Sequence, residues 1–285
     1  MVLAGEAWAP EDGALERLQI DLDLYAYEYT DIITRESHNN LLSEDLTALN
    51  AFVTANPGTT LLGAVQAGAG NRTQVIHNGT GGLLRVLPNF ANANGADVSG
   101  VDLSTSYSFD TKVGNWRAGI QTAWLADYEV EVASRTGGAP TVFDAVGEYN
   151  DANPVARPLP EWKVNGTLNW GLDQHRAFLL VKYVSGVNHN FTGGSRFFAA
   201  TAALAHGQAF ADRFLDSSVD SWITADAQYT YSFGDLKYLS DASVTIGVQN
   251  LTNEEPPFVP VITGYDGTLH DPRGRLWTLR VNASL

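Results

Sequence analysis

The connections between the predicted β-strands of this chain alternate between short and long. Nine stretches alternate apolar with polar residues, which is the pattern of a strand with two different faces. Their predicted bounds are residues 2–9, 17–31, 97–110, 115–126, 161–172, 175–187, 222–233, 242–250 and 273–285. Short links cover residues 10–16, 111–114, 173–174 and 234–241, and long ones cover 32–96, 127–160, 188–221 and 251–272. Such alternation is typical of transmembrane β-barrels, which have short periplasmic turns and long extracellular loops.

One face of each predicted strand is apolar, and the mid-strand charges lie on the other face. Trp162 and Trp170, for example, have the opposite parity to Lys163, and successive side chains of a strand point to opposite faces. A charge that faces lipid near the bilayer midplane costs about 2 to 4 kcal/mol, so a strand between lipid and water should show this segregation. Glu28 and Arg275 depart from it near strand ends, where the cost is small. The charges that follow it are Asp21, Asp23, Asp102, Arg117, Lys163, Arg176, Lys182, Asp226 and Arg280.

Two tryptophan pairs give a length scale for the apolar face. Trp116 and Trp124 are eight positions apart, as are Trp162 and Trp170. Eight residues of strand span about 26 Å, or about 20 Å across a bilayer when the strand is tilted by about 40°. This matches the separation of the two aromatic girdles of a membrane barrel. The alternative that the pattern leaves open is a water-soluble β-sandwich, in which the tryptophans would be core residues.

Composition narrows the class of protein further. No Pro-rich linker or charge block divides residues 1–285, so we expect one domain. The formal net charge of −15 argues against a nucleic acid partner, because phosphate binding needs a basic surface. The chain has no cysteine, so it has no disulfide and no thiolate ligand. Residues 1–10 lack the basic and apolar regions of a signal peptide, which an outer-membrane protein needs, so either the protein is not in the outer membrane or its true N-terminus is missing from residues 1–285.

No catalytic motif is present in the sequence. The six histidines are scattered singly, without the spacing of a metal site, and no serine lies in a Gly-x-Ser-x-Gly pattern. The loop glycines at positions 68, 70, 79, 81 and 82 are not placed between a strand and a helix, as a phosphate-binding loop requires. We therefore predict that the protein is not an enzyme and needs neither a cofactor nor a metal.

Several short motifs lie in a fixed order along the chain. Residues 21–25 read Asp-Leu-Asp-Leu-Tyr, 29–33 Tyr-Thr-Asp-Ile-Ile, 97–103 Asp-Val-Ser-Gly-Val-Asp-Leu, 247–257 Gly-Val-Gln-Asn-Leu-Thr-Asn-Glu-Glu-Pro-Pro, 264–266 Gly-Tyr-Asp, and 271–275 Asp-Pro-Arg-Gly-Arg. Asn250, Asn253 and the two prolines after them should end a strand, because Asn favours turns and Pro lacks the ladder donor. Together these motifs resemble the C-terminal part of the barrel of TonB-dependent outer-membrane receptors across nearly the whole chain.

The resemblance implies the fold and the partners. Such a receptor is a barrel of about 22 strands, plugged by an N-terminal domain whose leading segment recruits TonB. Residues 1–285 would then be the C-terminal portion of the barrel, without the plug and the first strands: an antiparallel, partial transmembrane β-barrel of about eight to nine strands in the bacterial outer membrane. The implied partners are outer-membrane lipid, the TonB complex through the missing plug, the barrel-assembly machinery through the last strand, and a small nutrient. The chain ends on Leu285, where the family usually has an aromatic residue, so we expect weaker recognition by the assembly machinery.

Function should then depend on ligand capture by loops. The loop 188–221 is rich in aromatic and arginine side chains, which could stack on a sugar or a catecholate and hold an anion. The candidate ligand-binding residues, with two from the last loop, are His189, Phe191, Arg196, Phe197, Phe198, Arg213, Tyr265 and His270. In the longest loop, Ser43 is expected to cap a short helix that carries Leu46, Leu49, Phe52 and Val53 and ends near Asn56.

The predicted function is the binding and TonB-coupled import of a scarce nutrient, such as a siderophore or a carbohydrate. Two alternatives remain open from the sequence. One is an autonomous small outer-membrane barrel that acts as an adhesin or a passive pore. The other is a soluble β-sandwich that binds carbohydrate.

Overall fold

A computed structural model of the chain describes residues 2–3, 7–8, 16–36, 38–70, 73–132, 141–150, 158–188, 218–236, 238–259 and 264–284. Most of these residues form antiparallel strands. The strands are β1 (Val2–Leu3), β2 (Ala7–Trp8), β3 (Leu18–Arg35), β4 (Val75–His77), β5 (Leu83–Val86), β6 (Phe90–Thr111), β7 (Gly114–Val132), β8 (Thr141–Asp144), β9 (Trp162–Leu172), β10 (His175–Val184), β11 (Val187–Asn188), β12 (Ser218–Val219), β13 (Trp222–Leu236), β14 (Leu239–Gln249) and β15 (Leu276–Ser284). The helices are α1 (His38–Ala55) and α2 (Leu61–Gln66).

One sheet forms the body of the molecule. Its strand order is β1-β3-β6-β7-β9-β10-β13-β14-β15, with β2 also on β3 and β8 also on β7. Sequential neighbours pair antiparallel, as in a barrel built from hairpins. Within the described residues, β15 pairs only with β14, and β1 and β2 pair only with β3, so the sheet does not close. The prediction of a partial barrel is confirmed.

The register confirms that the sheet has one apolar and one polar face. Leu168 lies opposite Ala118 on one side and Leu179 on the other, whereas Asn165, on the same face as Lys163, lies opposite Gln121 and Lys182. We call the side that carries Leu168 the apolar face and the side that carries Lys163 the polar face.

The β-sandwich alternative is wrong. Val181, Ile246 and Leu279 on the apolar face are 38%, 50% and 71% exposed. Within the described part of the chain no second sheet covers them, since the remaining sheets are the two-stranded pairs β4–β5 and β11–β12. An apolar face without a protein partner is what a lipid-facing barrel wall requires.

The tryptophan pairs form two rows on the apolar face. Trp124 stacks on Trp162 with ring centroids 5.6 Å apart, and Trp116 contacts Trp170 at 6.1 Å. The second row continues across five strands near the short turns, through Tyr107, Phe109, Trp116, Trp170, His175, Tyr231 and Phe233. The indole N–H groups of Trp116 and Trp170 donate to Thr111 Oγ1 and the Val113 carbonyl. The second row thus has the apolar body and polar tips of an interfacial aromatic girdle.

Several strand bounds differ from the prediction. β3 continues to Arg35, and β6 begins at Phe90, opposite it, so this hairpin arm extends well into the predicted loop 32–96. Backbone pairing needs no apolar alternation outside the membrane, which is why the pattern ends before the strand does. The last strand begins at Leu276, because Gly274 takes a positive φ and Asn253 Oδ1 binds the Arg275 amide. The first predicted strand is two short pieces, β1 and β2.

The sheet depends on a glycine at position 100. Gly100 lies opposite Tyr25, and a Cβ added there would be 2.5 Å from the Tyr25 ring and 2.6 Å from the Trp124 carbonyl oxygen. We expect Gly100→Ala to lower the free energy of unfolding by about 1 to 3 kcal/mol, since neither the ring nor the backbone can yield easily. Urea unfolding of the protein refolded into lipid vesicles measures this.

Gly166→Ala is the matched control for that substitution. Gly166 is also a strand glycine, and no described atom lies within 4 Å of an added Cβ there. Equal losses in the two variants would show that glycine backbone freedom, rather than the Tyr25 contact, matters at position 100.

Candidate functional site

The predicted ligand-binding residues divide into two groups. His189, Phe191, Arg196, Phe197, Phe198 and Arg213 lie outside the described residues. Tyr265 and His270 are described and lie in the last loop, residues 250–275, between β14 and β15. Tyr265 is half-buried and His270 is buried. The site that the structure supports is therefore built from the last loop and the segments that pack against it.

Asp266 organises the last loop from a buried position. Its Oδ1 accepts the Thr268 N–H at 2.6 Å and the Thr268 hydroxyl at 2.5 Å. Burial alone would raise the pKa of Asp266, but hydrogen bonds from Thr268, from the Tyr149 hydroxyl and from the Leu269 N–H outweigh it and lower the pKa. Asp266 is thus held as a carboxylate, and its bond to Tyr149 ties the last loop to the segment after β8.

His270 is buried beside Asp266 in the same loop. The imidazole ring of His270 meets Trp222 edge-on, with ring centroids 5.3 Å apart and planes at 88°. The backbone N–H of His270 donates to the Asp266 carbonyl at 3.0 Å. The side chain is 5% exposed, and its Nδ1 has no hydrogen-bond partner within the described ranges. Burial lowers the pKa of His270, and the charge of Asp266 offsets this only in part. The imidazole is therefore neutral at neutral pH.

An apolar cluster lies under these polar groups and joins three connections. Tyr149, Val187, Val219 and Val259 pack together, and all four are buried. Backbone bonds tie the pieces, since the Tyr149 amide donates to Asn188 at 2.7 Å and the Asn188 amide donates to Gly147 at 2.7 Å. We call Tyr149, Trp222, Asp266 and His270 the rim cluster.

The ends of the last loop are held by the motif residues that the sequence singles out. Asn250 takes a positive φ, and its amide side chain accepts the Glu254 N–H and donates to the Glu254 carbonyl, both at 2.8 Å. At the other end Arg273 forms a forked pair with Asp271, which lowers the pKa of Asp271 to about 2. These residues shape the rim, as the sequence predicts.

The longest connection contains a small folded unit that the sequence predicts only in part. Helix α1 ends as expected, but it begins at His38, so Ser43 lies inside it, and Leu46 is 50% exposed rather than buried. Leu49 does pack in a buried cluster with Ala64 and Val65 of α2. The predicted cap is wrong because an earlier start gives Leu41 a fully buried position, and burial outweighs a cap.

A hydrogen bond between largely buried side chains joins this unit to the hairpin β4–β5. His77 Nε2 lies 2.8 Å from Asp45 Oδ2, and His77 Nδ1 lies 3.3 Å from the Gly81 carbonyl. No sequence pattern predicts this pair, because its members are 32 positions apart in segments without a common period. The pair holds helix and hairpin together and does not form part of the rim cluster.

Two further features are absent from the part of the chain that the structure describes, a metal-binding group and a membrane-spanning helix. Over the ranges that the structure describes, no three His, Asp or Glu side chains are grouped so as to hold a metal ion. No described helix is long and apolar enough to cross a membrane.

Comparison with protein families decides the identity of the barrel. The family described as "TonB dependent receptor-like, beta-barrel" matches residues 11–251. The chain belongs to this family. TonB-dependent receptors are transport receptors that form β-barrels in the bacterial outer membrane, so the resemblance inferred from the motifs is confirmed.

Solved structures to which the chain is similar include two receptors and a transporter. The siderophore receptor PiuA from Acinetobacter baumannii is 12% identical with a TM-score of 0.47, and the match covers 97% of this chain and 27% of that one. The copper transporter OprC is 11% identical with a TM-score of 0.47, with 97% and 30% covered. A mutant of the ferric enterobactin receptor PfeA from Pseudomonas aeruginosa is 12% identical with a TM-score of 0.49, with 99% and 30% covered.

The chain spans less than a third of the length of these receptors. A comparison with curated proteins found no match.

Proposed function

We propose that this chain forms the C-terminal part of the barrel of an outer-membrane receptor that binds a scarce nutrient and imports it with TonB-coupled energy. Membership of the TonB-dependent receptor family over residues 11–251 carries the proposal. In this arrangement the apolar face lies against lipid, the polar face lines the lumen, and the long connections face the outside of the cell.

The open sheet supports the view that further strands complete the barrel. The outer edges of β15 and of β1 and β2 have no partner among the described residues. Each unsatisfied backbone group in hydrocarbon costs several kcal/mol, so an open edge is not stable in a membrane. The missing strands and the plug would come from the rest of the receptor, and the plug would provide the contact with the TonB complex. We also propose that the barrel-assembly machinery engages β15.

The ligand would be caught by the loops above the polar face. The aromatic and basic residues between positions 188 and 221 supply stacking surfaces and guanidinium groups suited to a siderophore or a carbohydrate. The residues that we propose for contact are His189, Phe191, Arg196, Phe197, Phe198, Arg213 and Tyr265. His270 is buried against Trp222, so its role would be to hold the loop beside the ligand.

Nutrient-limited growth tests the proposal. A strain without the receptor gene should fail to grow on one member of a panel of ferric siderophores and oligosaccharides supplied as the limiting nutrient. The intact gene should restore growth, and it should not do so in a strain that lacks TonB. Growth that is restored equally without TonB would show a passive pore, and an unchanged nutrient range with altered surface attachment would show an adhesin.

A further inference from the structure

Three tyrosines follow one another along one side of β3. The ring centroids of Tyr25 and Tyr27 are 5.7 Å apart, and those of Tyr27 and Tyr29 are 6.2 Å apart. We call these three residues the tyrosine column. Because β3 runs from a short link toward the longest connection, the column occupies the outer part of the strand.

The tyrosine column lies on the polar face of the sheet. It has the parity of Asp23, which lies opposite Asp102 of β6. In register, Asp102 is followed by Ala123 and then by Lys163, which defines the polar face. Residues that lie opposite each other in neighbouring strands share a face, so the three rings face the lumen in the proposed arrangement.

The neighbouring strand leaves room for the three rings. The residues of β6 that lie opposite them are small, and in order from the inside outward they are Gly100, Val98 and Ala96. An added Cβ at Gly100 would meet the Tyr25 ring, so this ring lies directly over the sheet. Tyr27 and Tyr29 are 40% and 49% exposed. The column therefore presents aromatic surface on the polar face.

The charges at the inner end of the tyrosine column are negative. Asp23 and Asp102 lie directly opposite each other, one step below Tyr25 on the same face. The sequence of β6 contains no Lys or Arg, and the only one in β3 is Arg35, the last residue of the strand. An anionic ligand on the column would therefore meet like charges, which carry a free-energy cost.

We propose that the tyrosine column is a subsite for a neutral oligosaccharide on its way from the loops into the lumen. The inference rests on the proposed function and narrows its ligand from a siderophore or a carbohydrate to a neutral carbohydrate. The flat ring faces stack on the apolar faces of sugar rings, and the phenol groups exchange hydrogen bonds with sugar hydroxyls. The carboxylates of Asp23 and Asp102 accept hydrogen bonds from further hydroxyls.

The linear arrangement favours a chain of sugar rings over a single cation. Aromatic groups that recognise a quaternary ammonium form a cage around one point. The rings of Tyr25, Tyr27 and Tyr29 instead follow one another at similar steps of 5.7 and 6.2 Å. They offer the same kind of surface repeatedly, so successive flat units of one ligand can contact successive rings.

Isothermal titration calorimetry of the complete receptor in detergent tests the inference. The probes are maltohexaose, cellohexaose and xylohexaose, with hexagalacturonate and ferric enterobactin as anionic counterparts. We expect one or more of the neutral sugars to bind, and both anionic probes to bind at least about tenfold more weakly. Tyr27→Ala should weaken sugar binding about tenfold, because one stacking surface is lost, and Tyr27→Phe should retain it, because the ring remains.

Two further variants separate a binding role from a structural one. Asp102→Asn should narrow the preference for the neutral sugar over hexagalacturonate, because it removes one of the two repelling charges. Tyr183→Ala is the matched control, since Tyr183 is a strand tyrosine on the apolar face, opposite Val164 and Ile223. It should leave the sugar affinity of the folded, heat-modifiable receptor unchanged.

Three results would overturn the inference while leaving the receptor function intact. They are failure of every neutral sugar to bind, tighter binding of ferric enterobactin than of any neutral sugar, and equal sugar affinities of the Tyr27→Ala and parent receptors. TonB-dependent growth is measured separately. Loss of that dependence, with sugar binding and its sensitivity to Tyr27→Ala retained, would overturn the import function and leave the subsite in place.

Discussion

Leu179→Arg should strongly destabilise the barrel, whereas Leu180→Arg should not. Leu179 lies on the apolar face, opposite Leu168 and Ala227, between the two tryptophan rows. Leu180 lies on the polar face, opposite Thr167 and Asp226. A guanidinium facing lipid near the midplane costs about 2 to 4 kcal/mol, so Leu179→Arg should lower the folding equilibrium constant about thirtyfold or more.

The matched variant Leu180→Arg removes the same side chain and adds the same charge one position along. Its guanidinium reaches the hydrated lumen and the Asp226 carboxylate, and we expect a change within about 1 kcal/mol. The measurements are urea unfolding in lipid vesicles and the fraction of heat-modifiable receptor in outer membranes. A larger loss from Leu180→Arg would mean that the two faces of the sheet are reversed.

The sequence predicts which side chains lie on each face of the sheet, because side chains alternate between the two faces along a strand. Once Trp162 to Leu172 is identified as a strand, the position of every side chain on it is fixed, and the register bears this out. The turns can also be predicted from their own residues, since Asn250 and Gly274 take the positive φ values that their residue types favour. Strand ends are less well predicted, because backbone pairing between Arg35 and Phe90 leaves no apolar signal.

The rim cluster could be predicted only in part. The motif around Tyr265 and His270 marks the last loop, but nothing in the sequence links Asp266 to Tyr149 or His270 to Trp222. Those contacts join segments far apart in the chain and follow from the way three loops pack over the strand ends. Loop residues have no regular apolar spacing that would predict which side chains they contact, and their contacts depend on the whole barrel. The pairing of Asp45 with His77 escaped prediction for the same reason.

Lowering the pH from about 7.5 to about 5.5 should loosen the last loop. Burial lowers the pKa of His270 below its ordinary value of 6.5. When the loop opens, the imidazole of His270 is in water, and its pKa is higher than in the packed loop. The packing is therefore unaffected well above pH 6.5 and weakens as the pH falls below 6.5. The opening equilibrium should rise by at most about tenfold for each pH unit.

The neighbouring charged groups define the pH window for this effect. Asp266 faces His270 and offsets the lowering of its pKa, but its own pKa lies below 3.8, so its stabilising bonds are lost only as the pH falls further. Asp271, with a pKa of about 2, is paired with Arg273 and also senses Lys182 of β10; it stays charged throughout. Of these three groups, only His270 gains charge as the pH falls from about 7.5 to about 5.5, because the pKa values of both carboxylates lie below their ordinary range.

Hydrogen exchange of the last loop measures this opening. The amides of Thr268 and His270 donate to Asp266 and should exchange faster at the lower pH, after correction for the intrinsic exchange rate. His270→Phe keeps an aromatic edge against Trp222 and cannot take up a proton, so its loop should show no acid-dependent loosening. If the phenylalanine variant loosens as much as the parent receptor, the proton acts elsewhere. If neither loosens, the buried imidazole does not control the packing of the rim cluster.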